Sequence, residues 1–531
     1  MYVDLAGAGK RKAAGCSAEK EKGQSWLDKL FGKSPSTEQA VVPALERRAA
    51  AGKDADNMIQ FGTGGWRAVI GDGFTKANVQ ILATAIAHKM EHEQLAEAGF
   101  VIGYDRRFLS EEATRWAAEV FAAHDIHCRV INKASPTPLI MFAVNWYNLP
   151  YGMAVTASHN PAVYNGVKVF MDGGRDADEQ ATQDFERYIA GVDPEDVETV
   201  PFEKGVERGL IELIDPMNDY IDSILSAVDV SAIRGGRLRV VLDPMYGVSR
   251  TALQTILFTT RCDVDVIHER RDTLFGGRLP APNVKTLAGL TNYVEENGCD
   301  IGIATDGDAD RLGVIDDKAE FLHPNKILAL LYYYLLRYKG WKGPVVRNLA
   351  TTHLLDRIAS EFGETCYEVP VGFKYVSAKM LETGAVIGGE SSGGLTVRGH
   401  IQGKDGIYAA TLLIEMLAVT GRKLSELWEE IEQSYGHYEM IERDYRFSHE
   451  KRREIEQLLL GDRMVPVFPM EVRQISYMDG CKVTFGNGGW IIARFSGTEP
   501  LLRIFCEMGS AKEADKIADV MEAFLELNKA E

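Results

Sequence analysis

Cysteine is scarce: seven residues in 531, at Cys16, Cys128, Cys262, Cys299, Cys366, Cys481 and Cys506, an odd number with no Cys-x-x-Cys pair. Single scattered cysteines exclude a zinc cage and a disulfide framework and predict a reduced, cytoplasmic protein. Positive charge is short as well. The 59 Lys+Arg are outnumbered by 77 Asp+Glu, for a formal net charge of −18. Duplex nucleic acid and anionic membranes both demand a dominant positive field, so neither is expected as a partner. Long hydrophobic runs are missing too. The longest strongly apolar stretch, 327–336, is far below the roughly 20 residues of a membrane-spanning helix, and no secretory h-region precedes the body. Also absent are GxxxxGK[ST], HExxH and the dinucleotide fingerprint, which points away from kinases and other nucleotide-dependent chemistry.

What is present divides unevenly. At roughly 100–200 residues per domain, the length predicts several domains. Residues 1–58 are rich in Ala, Gly and Lys and carry ten basic against eight acidic residues, while everything after them is strongly acidic. They read as a poorly ordered N-terminal extension. Trp26, Leu27, Leu30 and Phe31 fall on one helical face, so docking to a protein partner is the alternative. Met58, directly before the first motif, is a candidate alternative start.

From Phe61 onward, short β-rich runs (101–105, 128–131, 152–157, 238–243, 300–305, 344–346 and 385–388) alternate with helical patterns at 76–98, 111–123, 325–336 and 404–419. That alternation predicts α/β layers with parallel or mixed sheets. The last hundred residues change character, with strands expected at 481–485, 490–495 and 502–507 and a closing helix from Ala511, a smaller α+β domain.

Four loops carry the chemistry. Thr305-Asp306-Gly307-Asp308-Ala309-Asp310-Arg311 sets carboxylates at i, i+2 and i+4, suited to a hard divalent ion. An EF-hand frame fails, because Arg311 stands where Gly is required and Asp317 where Glu is required. Three protein carboxylates leave room for water or substrate oxygen, which favours Mg2+; an acidic turn without metal is the alternative. Thr156-Ala157-Ser158-His159-Asn160-Pro161, followed by Asn165-Gly166-Val167-Lys168, offers Ser158 as an exposed nucleophile at a strand end. His159 would point away from Ser158 in an extended segment and is a poor base. In Gly388-Gly389-Glu390-Ser391-Ser392-Gly393-Gly394, Glu390 and Ser392 share one side of extended chain and suit sugar hydroxyls. Arg494-Phe495-Ser496-Gly497-Thr498-Glu499-Pro500, with Arg503 beyond, has the makings of a phosphate cradle. A Gly-rich counterpart, Gly62-Thr63-Gly64-Gly65-Trp66-Arg67, ends in Arg.

In this order the four loops resemble the α-D-phosphohexomutase superfamily, and the likeness runs from about Gly62 to the end. The resemblance implies three related α/β domains with mixed sheets plus a C-terminal α+β domain like the TATA-binding protein, arranged around a central cleft. The domains expected are 59–205, 206–317, 318–432 and 433–531. It implies that Ser158 is the phosphoserine and, with Asp306, Asp308 and Asp310, a ligand of one Mg2+ per active site. Arg67, His159, Lys168 and Arg311 match the basic cluster around the transferring group, and Lys404 matches a lysine proposed as general base. Glu390, Ser392 and Lys374 match sugar contacts, and Arg494, Ser496, Gly497, Thr498 and Arg503 match the site of the substrate's standing phosphate.

The activity implied is interconversion of glucose 1- and 6-phosphates through glucose 1,6-bisphosphate. Phosphomannomutase, phosphopentomutase and phosphoglucosamine mutase are alternatives. More distant are a Mg2+-dependent sugar phosphatase and a mutase-like binding protein that has lost catalysis. One departure bears on the sugar: bacterial enzymes of the superfamily that accept both mannose and glucose phosphates, and phosphoglucosamine mutases, commonly carry His two residues after the loop's Ser, where this chain has Gly394. His400 is the substitute expected here.

Overall fold

A computed structural model describes residues 59–62, 65–495 and 501–527, and turns the predicted alternation into four sheets in chain order. The extension 1–58 with its Trp26/Leu27/Leu30/Phe31 face and Met58, the residues Thr63 and Gly64, and the expected cradle residues Ser496, Gly497 and Thr498 lie outside the described residues.

The first sheet has the order Trp66–Val69, Tyr164–Met171, Tyr151–Val155, Phe100–Tyr104, Cys128–Ile131, Ile211–Ile214, with Arg175–Asp176 pairing onto Tyr164–Met171. Its last four strands run parallel and Tyr164–Met171 returns antiparallel. Phe100–Tyr104 and Tyr151–Val155 are buried along their whole lengths, as strands covered on both faces must be. Ile211–Ile214, expected in the second domain, closes this sheet instead. Residues 165–168, read as loop, belong to the eight-residue strand Tyr164–Met171. It pairs with the strand just before it, Tyr151–Val155, and on its other side with Trp66–Val69, a segment remote in sequence that no local pattern reports.

The second sheet runs Phe321–Leu322, Leu312–Ile315, Ile301–Thr305, Arg239–Asp243, Asp263–Val266, and the third Cys366–Val369, Val345–Asn348, Ile387–Gly389, Leu395–Val397. The fourth is antiparallel throughout: Glu439–Arg446, Leu501–Met508, Trp490–Phe495, Cys481–Phe485, Val472–Ser476, with helix Ala511–Leu525 packed on it. Three α/β units with mixed sheets and a smaller α+β unit are thus present. The first three share one device: a parallel central strand, a short connection, then an antiparallel return strand.

Helix ends follow local chemistry. The helix expected over 76–98 stops at His92, because Gln94 adopts φ +59° and the chain turns. Pro324 opens Pro324–Arg337, where a missing N–H costs nothing. Asp405 caps Gly406–Thr420, accepting from the N–H groups of Ile407 (2.8 Å) and Tyr408 (2.9 Å). One continuous apolar core links the first three units, and Leu349 and Ala350 pack against Trp490, Ile492 and Phe505 to join the third to the fourth. Charge reinforces that junction. Lys482 donates to the Leu349 carbonyl and to His353 Nε2, both at 2.9 Å, and pairs with Glu368.

Candidate active site

The connections between central strand and return strand are the four loops singled out from sequence. Ser158 follows Tyr151–Val155, Asp306–Arg311 follows Ile301–Thr305, Glu390–Gly394 follows Ile387–Gly389, and 496–500 joins Trp490–Phe495 to Leu501–Met508. Loops beyond strand ends are where α/β folds place ligands.

The serine loop is held from beneath. Arg107 is 2% exposed, and its guanidinium donates to the carbonyl oxygens of Ser158 (2.6 Å), Asn160 (2.7 Å), Pro161 (2.9 Å) and Tyr164 (3.0 Å). Asp105 stands against it at 3.3 Å and accepts from Thr156 Oγ1 at 2.6 Å. Thr156 Oγ1 in turn accepts from the Ser158 N–H at 2.8 Å. So gripped, Ser158 sits at φ +52°, a left-handed conformation that costs a non-glycine residue about 1 kcal/mol. Its Oγ donates to Asp306 Oδ2 at 2.8 Å.

This turn also overturns one expectation. His159 does not point away, since its Nδ1 lies 3.3 Å from Ser158 Oγ. The segment is a turn, closed by Asn160 N–H to the Ala157 carbonyl, and not extended chain. Burial, Arg311 and Arg67 hold the His159 pKa well below the ordinary imidazole value, so the ring is uncharged near neutrality.

Asp306, Asp308 and Asp310 are buried and bring one oxygen each within 4.8 Å of the others. Lys168 Nζ bridges Asp308 Oδ2 and Asp310 Oδ2, both at 2.6 Å, and Lys404 Nζ reaches Asp310 Oδ2 at 2.9 Å. Thr137 donates its hydroxyl to Asp308 Oδ2 at 2.7 Å. Burial lowers the Lys168 pKa, but Asp308 and Asp310 outweigh it and hold the ammonium above its ordinary value. Asp306 is left with the opposite balance: burial, Asp308 and Asp310 push its carboxyl well above the usual range. A bound cation would relieve that repulsion.

Among the described residues, five buried polar atoms of this site have no hydrogen-bond partner: Asp308 Oδ1, Asp310 Oδ1, Arg67 Nε, Arg107 Nε and Arg311 Nε. Asp310 Oδ1 and Arg311 Nε face each other at 3.9 Å as an ion pair, while Asp308 Oδ1 suits a hard cation and Arg67 Nε an anion beside it. Arg67 is steadied by donating to Asn160 Oδ1 at 2.9 Å, and the Arg311 backbone N–H donates to Asp306 Oδ1 at 3.1 Å.

The third loop is a tight turn, with Glu390 N–H to the Gly394 carbonyl at 3.0 Å, so the expected extended geometry is corrected. Glu390 is buried and accepts from Asn348 Nδ2 (3.0 Å) and Gly372 N–H (3.1 Å), while Ser392 is exposed. Leu312 N–H to the Gly393 carbonyl at 3.0 Å ties this loop to the strand that follows the aspartates. Gly394 is dictated by Lys404: a Cβ there would overlap Lys404 Cδ and Cγ. His400 donates or accepts through Nε2 with Asp405 at 2.6 Å, and its side chain is 5% exposed. Lys374 opens helix Phe373–Thr383 with its ammonium 5.1 Å from the Tyr375 ring centroid.

In the fourth unit Arg494 and Arg503 are register partners across adjacent strands and so share a face. Arg494 Nε donates to Asp479 Oδ2 at 2.7 Å, and the same oxygen accepts from the Val371 N–H at 3.0 Å, which brings Arg494 to the Lys374 loop. Arg503 is partly exposed, 3.6 Å from Asp444.

Several members escaped sequence reasoning. Arg107, Asp105 and Thr137 position the loops from behind, and half-buried Asp176 lies in the field of Lys404 and Lys168, its carboxyl pushed up by burial. The one available signal was Asp105-Arg106-Arg107, another polar run at a buried strand's carboxyl end.

Known proteins agree with this organisation. Models of four domain families match in order: Phosphoglucomutase/phosphomannomutase, alpha/beta/alpha domain I over 58–195, domain II over 218–319, domain III over 323–435 and C-terminal domain over 467–523. A phosphoglucomutase/phosphomannomutase of Thermococcus kodakarensis is 31% identical over 468 residues, covering 88% of this chain and 98% of its own. A probable phosphoglucosamine mutase of Pyrococcus furiosus is 30% identical over 457 residues, covering 86% and 95%. A solved structure from Thermus thermophilus that carries the name phosphomannomutase superposes with TM-score 0.77 at 28% identity, covering 88% of this chain and 99% of that one.

Proposed function

Because the chain belongs to the phosphoglucomutase/phosphomannomutase family of the α-D-phosphohexomutase superfamily, we propose that it is a phosphoglucomutase that interconverts glucose 1- and 6-phosphates through a phosphoserine at Ser158. The observation that carries the reading is Ser158 Oγ beside a buried triad of aspartates, with Arg67 in the electrostatic field of Arg311, Asp308 and Asp310.

Asp306, Asp308 and Asp310, with an oxygen on Ser158, would hold Mg2+, which supplies positive charge to the phosphoryl oxygens during transfer. The protein's own cations do the same work from the other side. Lys168, Arg67 and Arg311 neutralise the moving group, whose charge spreads over its oxygens. Phosphoserine 158 loses its phosphoryl group to a sugar hydroxyl: the Ser158 O–P bond breaks, a sugar O–P bond forms, and the hydroxyl proton passes to a base. His159, uncharged and 3.3 Å from Ser158 Oγ, and Lys404 are the bases at hand. Glu390 orients the sugar hydroxyls, and Arg494 and Arg503, with 496–500, hold the standing phosphate. The bisphosphate then reverses in the site and returns its other phosphoryl group to Ser158, so no nucleotide is consumed. That agrees with the missing nucleotide loops.

The preference for glucose rests on Gly394, where Lys404 occupies the space a larger side chain would need. A second reading, phosphoglucosamine mutase, is favoured by the name of the Pyrococcus furiosus relative. The test is turnover with Mg2+ and a trace of glucose 1,6-bisphosphate, comparing kcat/KM for glucose, mannose, glucosamine and ribose 1-phosphates. Glucose 1-phosphate is expected to lead. No turnover on any of them would sink the mutase reading, and steady release of inorganic phosphate would replace it with a phosphatase. Intact mass should show one phosphate on the wild type and none on inactive Ser158→Ala.

A further inference from the structure

The mutase reading leaves a second group of ligating side chains unused. His88 and Glu91 stand three apart on helix Lys76–His92 and therefore share a face. His124 follows directly on the neighbouring helix Ser110–Ala123. One ligating atom from each residue falls within 4.8 Å of the others. His124 Nδ1 lies 2.8 Å from Glu91 Oε1, and the two imidazole rings meet edge to face with centroids 5.2 Å apart.

Topology sets this group apart from the aspartates. Helix Ser110–Ala123 follows Phe100–Tyr104 and returns the chain to the start of Cys128–Ile131, so His124 lies at the amino ends of parallel strands. Ser158 lies beyond the carboxyl end of Tyr151–Val155 in the same sheet, a strand length of about 17 Å away or more.

The His124 side chain is 14% exposed, and its Nε2 is buried without a hydrogen-bond partner. Two imidazoles and one carboxylate form a borderline donor set, unlike the all-oxygen triad at Asp306.

We propose that His88, Glu91 and His124 bind one transition-metal ion of the Zn2+ class, with water completing the shell, and that the ion staples the last turn of one helix to the end of the other. Neither helix end touches the reacting groups, so the site stabilises the first domain without entering turnover.

The test uses the untagged full chain, with millimolar Mg2+ present to occupy the aspartates, dialysed against micromolar Zn2+ and assayed for bound metal and thermal midpoint. One Zn2+ per chain and a raised midpoint are expected for the wild type. His88→Ala and His124→Ala should bind about tenfold or more weakly and lose the midpoint rise, with turnover unchanged. Glu91→Gln, nearly isosteric and partly exposed, should weaken binding in the same direction and guards against a folding artefact. Asp308→Asn should still retain the ion, and adding His124→Ala to it should release the ion. No retention by the wild type, or equal retention by the histidine variants, overturns the proposal.

Discussion

Replacing Arg107 tests whether the serine loop is held in place rather than merely present. Arg107→Met removes four hydrogen bonds to the carbonyls of Ser158, Asn160, Pro161 and Tyr164 and leaves Asp105 buried without its cation. Breaking one side of a buried pair costs about 3–5 kcal/mol. Because the cost is concentrated on a loop whose Ser158 is already in a left-handed conformation, it falls on the populated geometry of that loop. At about 1.4 kcal/mol per tenfold, the competent conformation drops by roughly 10²- to 4,000-fold. The expected result is a fall of about that size in kcat, read from glucose 6-phosphate appearance, together with slower phosphorylation of Ser158 by intact mass. Arg107→Lys separates the two contributions, since a single ammonium compensates Asp105 but cannot span four carbonyls. It should recover most of the thermal midpoint and less than a tenth of the lost rate. An Arg107→Met protein within about threefold of wild-type kcat would refute the positioning argument.

Gly394→His should displace Lys404 from Asp310, at about 1–3 kcal/mol of overpacking, and lower kcat without unfolding the chain; wild-type kinetics would show that Lys404 has another place to go. Removing Mg2+ by chelation, or Asp308→Asn, should cut turnover by about 10²-fold or more, and Mg2+ should raise the thermal midpoint of the wild type only. Equal midpoints with and without Mg2+ would count against the aspartates as its site. The junction of the third and fourth units should weaken in acid. Burial and Arg347 lower His353 to about 4 from an unfolded value of 6.5. The unfolded chain therefore takes up the proton first, and stability present above pH 6.5 is lost as pH falls towards 4, by at most about 3 kcal/mol. His353→Gln should flatten that part of the midpoint-against-pH curve; an unchanged slope would assign the acid sensitivity elsewhere.

Much of this protein is legible locally. The β-branched runs and helical periodicities lie where most of the expected strands and helices form, because burial on both faces of a parallel strand leaves a plain hydrophobic signature. The residue types of the four loops and their order along the chain identify the family. Local pattern fails where partners are far apart. Residues 165–168 read as loop because one of the strands that pair with Tyr164–Met171, Trp66–Val69, lies far earlier in the chain, and Ile211–Ile214 belongs to a sheet begun far earlier in the chain.

The site shows the same division. Ser158, the three aspartates, Glu390 and Arg494 are visible as chemistry in the sequence, whereas their meeting is not. Ser158 reaches Asp306 across 148 positions, and Lys168 joins Asp308 and Asp310 from a different sheet. Arg107, which carries no signal of its own in the sequence, is found buried under the serine turn. His159 changes from a side chain directed away to one at 3.3 Å because the distant guanidinium of Arg107 grips four carbonyls of the loop and Ser158 is fixed at φ +52°. Sequence by itself determined the inventory of reacting groups and the alternation that delivers each to a strand end. The tertiary structure decided which of them share a charge balance and which conformation each must hold, since contact energies and pKa values depend on distances that the chain closes only when folded.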